Sequence, residues 1–85
     1  MIEEISRGYI KVRYKSALYE VHGEGYLPDH GSPDFVIYSD CVYSQNAELI
    51  KDKDKINEIL KIIISGFKER NMTFEIEWFF NLLLI

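Results

Sequence analysis

The stretch VHGEGYLPDHGSPDF, residues 21–35, gathers the side chains most able to do chemistry: His22 and His30, Asp29 and Asp34, and Glu24. A zinc site needs three or four ligands around one ion. Here the histidines stand eight residues apart with no cysteine between them. In an extended chain His22 and Glu24 share one side and supply two ligands; a third must come from elsewhere. The stretch therefore predicts no metal and no cofactor. The single cysteine, Cys41, directly follows Asp40, whose negative charge raises a thiol pKa and so disfavours the thiolate nucleophile. A sugar-cleaving carboxylate pair needs a cleft that so short a chain has little room to build. The doublets GEG and HGS lack the strand-to-helix setting of a phosphate-binding loop. No catalytic residue is expected; the stretch reads as a strand end followed by a turn-rich loop.

Length and composition bound what surrounds it. Eighty-five residues, 47% hydrophobic and 28% charged, predict one folded domain, residues 1–85, with a modest core. One cysteine excludes an internal disulfide and suits a reducing cytoplasm. MIEEISRGY begins with acids and is no signal peptide. The longest apolar run, WFFNLLLI, is too short to span a bilayer. The expected location is therefore the cytoplasm, with no membrane partner.

Net charge is −4, unevenly spread. From Ser16 to Ile50 there is no lysine or arginine, but six acids (Glu20, Glu24, Asp29, Asp34, Asp40, Glu48) and four tyrosines (Tyr19, Tyr26, Tyr38, Tyr43). Nucleic-acid binding needs the opposite sign. An acidic, tyrosine-rich surface suits a basic protein.

The elements that must position these residues follow from periodicity. YIKVRY, residues 9–14, alternates Ile10, Val12 and Tyr14 against Lys11 and Arg13, as a half-buried strand does. LYEVHGE pairs with it as a hairpin. Hydrophobic register sets Tyr14 opposite Tyr19 and Val12 opposite Val21, with Arg13 facing Glu20 and Lys11 facing His22. Residues 25–33 connect to DFVIYSD, where Phe35 and Ile37 point inward and Asp34, Val36, Tyr38 and Asp40 outward, with a bulge expected near Asp40. DKDKINEILKIIISGFKERN is a helix capped by Asp52 or Asp54. Its apolar stripe is Ile56, Ile59, Leu60, Ile63 and Phe67; Gly66 weakens its last turn. MTFEIEW is a last strand. Together these predict an α+β fold: an antiparallel sheet of four or five strands with one long helix packed on one face. The opposite face displays Arg13, Glu20, His22, Tyr38, Asp40, Glu75 and Glu77.

The run ISRGYIKVRYKSALYEVHGE, then DFVIYSD, then a lysine-rich helix ending KERNMTFEIEW, resembles the bacterial immunity protein 74 family over residues 5–78. The resemblance implies a small cytoplasmic protein, not an enzyme, that binds and neutralises a cognate toxin. Charge suggests that this toxin is basic. On this reading Glu24, Tyr26, Asp34, Tyr38 and Asp40 form the partner-binding set. The alternative is a self-associating accessory domain acting through homo-oligomerisation, since Phe79, Phe80, Leu82, Leu83, Leu84 and Ile85 form an apolar tail suited to a homodimer.

Overall fold

The computed structural model describes residues 1–27 and 31–77. Asp29, His30 and the apolar tail with its expected homodimer contact lie outside the described residues, as does Trp78. Five strands and one helix follow in the order β1 (Ile2–Ile5), β2 (Tyr9–Tyr14), β3 (Ala17–Gly25), β4 (Phe35–Ser44), α1 (Lys53–Glu69) and β5 (Phe74–Glu77). They form one sheet in chain order, β1-β2-β3-β4-β5.

The class is α+β, as the sequence predicts, but the sheet is mixed. β1 through β4 pair antiparallel, whereas β5 runs parallel to β4, with Tyr38 beside Glu77. The cause is α1: a helix placed between two neighbouring strands carries the chain back to its starting end, so the second strand repeats the first one's direction. β1, the strand that alternation did not reveal, forms an edge with Ile2 and Ile5 turned toward Val12 and Ile10.

The hairpin register also differs. Ile10 faces Val21, Lys11 faces Glu20, Val12 faces Tyr19 and Tyr14 faces Ala17, a two-residue slip from the expected pairing. Lys15 and Ser16 both adopt positive φ, 49° and 65°, which closes the hairpin with two residues. Arg13 consequently pairs with Glu3, not Glu20, and His22 faces Tyr9, not Lys11.

The expected break in β4 is present. Pairing advances two residues along β3 (Val21 to Gly23) and five along β4 (Val42 to Ile37). The surplus residues bow out around Asp40. Inward parity is reset, so that Ile37, Ser39 and then Val42 are all buried.

The helix buries the stripe read from its spacing: Ile56, Ile59, Leu60, Ile63 and Phe67. Asp52 caps it, accepting hydrogen bonds from the Asp54 and Lys55 amides at 3.0 and 3.3 Å. Gly66 does not end it. A Cβ there would collide with the Ile2 side chain, so glycine lets β1 sit close against the helix. Phe67 meets Phe35 and Phe74 edge-on, with centroids 5.9 and 5.8 Å apart. Burying such a ring contributes about 1.5–3 kcal/mol. With one face of the sheet packed on α1, the outward side chains of every strand are left on the other.

Candidate functional site: the outer sheet face

On that outer face the β3–β4–β5 side collects the residues of interest. Glu24, one residue before the end of β3, lies beside Val36 of β4. Tyr26 directly follows β3 and donates its hydroxyl to Glu24 Oε2 at 2.6 Å. Tyr38 lies next to Glu77 through the parallel register and also hydrogen-bonds Glu24. Two carboxylates and two phenols thus converge from three strands.

Their electrostatics record the crowding. The Tyr26 phenol is pushed up to about 12, first by its hydrogen bond to Glu24, with Glu24, Tyr38 and Glu77 adding repulsion to the ionised form. Tyr38 is raised by desolvation, then by Glu24 and Glu77. Both rings stay neutral, with the one hydroxyl hydrogen of each directed at Glu24. Near them, on the same outward side, His22 stacks against Tyr43 with centroids 4.7 Å apart and lies 3.9 Å from Glu20.

The other two acids of the expected set stand apart from this cluster. Asp40 is exposed in the bowed segment of β4, where its carboxylate accepts from the Cys41 thiol at 3.5 Å. Burial and then Asp40 push the thiol pKa up, the direction expected from their adjacency. Asp34 precedes β4 and is only partly exposed. Its carboxylate accepts from the Thr73 amide at 2.9 Å, and its own amide donates to Thr73 Oγ1 at 2.9 Å. This reciprocal pair ties the loop entering β4 to the start of β5. Period-two counting put Asp34 beside Tyr38; the clamp to Thr73 gives it a structural partner instead.

Two features, one on the face and one beneath it, escaped the sequence reading of the site. Glu77 was expected on the face but not beside Tyr38, because that neighbourhood requires a parallel β5. Ser39 is fully buried, and its hydroxyl donates to the Glu77 carbonyl at 2.7 Å. Its signal was a serine in the middle of an apolar alternation. An open groove of about 760 Å³ adjoins Tyr26 and is lined in part by Arg7, Leu27, Phe35 and Met72. Leu27 is 74% exposed there.

Among the described residues no three His, Cys, Asp or Glu side chains converge as metal ligands. No helix among them is long and apolar enough to cross a membrane. In comparison with curated proteins and with solved structures, nothing matches the chain. The family model for Immunity protein 74 (Imm74) matches residues 2–77. That match spans nearly the whole chain, which therefore belongs to the Immunity protein 74 family and carries the general role of such proteins, immunity to a toxin.

Proposed function

We propose that this protein neutralises a cognate toxin by binding it directly, without catalysis, through the β3–β4–β5 half of its outer sheet face. The observation that carries the reading is charge. Strands β3, β4 and β5 contain no lysine or arginine, yet they bring Glu24, Tyr38 and Glu77 together with Tyr26. Such a surface favours a basic partner, whose cations steer the encounter and relieve the repulsion among the acids. Tyr26 and Tyr38 supply contact area at low entropic cost, and their hydroxyl oxygens, whose hydrogens are directed at Glu24, keep lone pairs that accept from the basic side chains of a partner. Asp40 extends the charge along β4, and Asp34 acts by holding the loop that carries Tyr26.

Binding to the cognate toxin, measured at two salt concentrations, tests this reading. The Glu24→Lys/Glu77→Lys protein is expected to fold, because both side chains are exposed. It should associate more slowly, lose most of the salt dependence and fail to rescue toxin-expressing cells. Unchanged binding and rescue would place the interface elsewhere.

A further inference from the structure

The outer face ends at β5, and among the described residues no strand lies beyond it. The direction of its peptide groups can be read from two contacts. The Thr73 amide donates to Asp34, and the Glu77 carbonyl accepts from Ser39 of β4. Peptide groups of successive residues in a strand point to opposite edges. Positions 73, 75 and 77 therefore turn their N–H and C=O toward β4. Phe74 and Ile76 turn theirs outward, where two donors and two acceptors are spaced for a further strand.

The side chains define what that strand must be. Glu75 and Glu77 are exposed on the outer face, while Phe74 and Ile76 are half-buried toward the core side. The two neighbouring strands, β3 and β4, contribute Glu24, Asp40 and Glu20 with no lysine or arginine. Resting on the proposed reading of this face, we infer that the toxin supplies an extended segment that adds to the β5 edge. That segment alternates basic residues, opposite Glu75 and Glu77, with apolar ones that continue the row of Phe74 and Ile76. Main-chain hydrogen bonds provide the affinity and the alternating charge provides the selection, as in other strand-addition complexes.

A short synthetic peptide alternating lysine with valine is a suitable probe for the intact protein. A second copy carries N-methyl groups at the valines, which removes main-chain donors while keeping every charge. Amide hydrogen exchange of the protein is followed with each. The first peptide should slow exchange at Phe74 and Ile76 roughly tenfold or more at saturation; the methylated peptide and a glutamate-for-lysine version should not. Equal binding of both lysine peptides, with Phe74 and Ile76 unprotected, would overturn strand addition but leave the charged-face reading standing. Binding by neither would also overturn it, and the toxin measurements with the Glu24→Lys/Glu77→Lys protein would then judge the face separately. Slow exchange at Phe74 and Ile76 in the protein alone, matching the ladder amides of β4, would show the edge already covered and overturn it as well.

Discussion

On the outer face of the sheet, β1 and β2 carry both signs of charge, while β3, β4 and β5 carry almost only one. In the first region Arg13 meets Glu3 at 3.2 Å, Lys11 meets Glu4 at 3.8 Å, and the Tyr9 hydroxyl donates to Glu4 at 3.0 Å. In the second, Glu24 and Glu77 crowd Tyr26 and Tyr38, and His22 is held against Tyr43 and Glu20. Both regions follow the same alternation, so backbone geometry does not separate them. Charge pairing does. Exposed ion pairs add little stability, about 0–1 kcal/mol each, but they leave their region electrically satisfied. The uncompensated region keeps its repulsion, which a cationic partner can remove. On the proposed reading, the half of the sheet that has not neutralised itself is the one that faces the partner.

The sharpest way to break this comparison is steric. Gly23 of β3 lies where a Cβ would collide with the Val36 carbonyl oxygen and the Phe35 ring, whereas a Cβ on Gly8, between β1 and β2, meets no atom within 4 Å. Gly23→Ala should cost about 3 kcal/mol or more in denaturant unfolding, because the clash is with backbone. Gly8→Ala should stay within about 0.5 kcal/mol. Similar costs for the two would refute the close β3–β4 approach.

Charge reversal comes next. Glu24→Lys with Glu77→Lys should weaken toxin binding by about 1.5–3 kcal/mol, mostly through slower association. Glu4→Lys, in the self-neutralised region, should leave the affinity essentially unchanged. If both variants lose equally, the two regions do not differ in function. Tyr38→Ala should lose about 1–2 kcal/mol of binding through faster dissociation, while Tyr9→Ala should not; surface-based kinetics distinguishes the two rates.

Two smaller effects sharpen the picture. Lys15 and Ser16 hold positive φ, which costs non-glycine residues. Lys15→Asn with Ser16→Gly should therefore raise stability by about 0.5–1 kcal/mol without moving the β2–β3 register, checked by thermal unfolding and cross-strand proton contacts. The smallest effect is spectroscopic. In an absorbance titration one tyrosine should ionise near 12, and Glu24→Gln should bring it back toward 10.0. The sign follows from the raised value: folding favours the neutral phenol. Any stabilisation from this contact is complete below the unfolded value of 10.0 and is lost as pH rises toward about 12.

Some of this molecule was legible in its residues. The period of 3.6 marked Ile56, Ile59, Leu60, Ile63 and Phe67, and those five are the buried face of α1. Alternation placed Ile10, Val12 and Val21 in the core, where all three are fully buried. The lack of lysine and arginine from Ser16 to Ile50 already located the acidic region. These are local properties: helix and strand periods and charge content need no knowledge of which segments meet. Pairing is not local. A slip of two residues leaves every side chain on the same face, so hydrophobic register could not choose between Val12–Val21 and Val12–Tyr19; the two-residue turn at Lys15 and Ser16 chose, without the asparagine or glycine that usually announces it. The direction of β5 depended on α1 crossing between neighbouring strands. Only that parallel direction brought Glu77 beside Tyr38, and the clamp between Thr73 and Asp34 turned an expected surface acid into a structural tie. Sequence determined which residues face outward and what charge they carry; the tertiary structure decided which of them are neighbours, because adjacency across a sheet is set by turn geometry and connection path, to which an alternating pattern is blind.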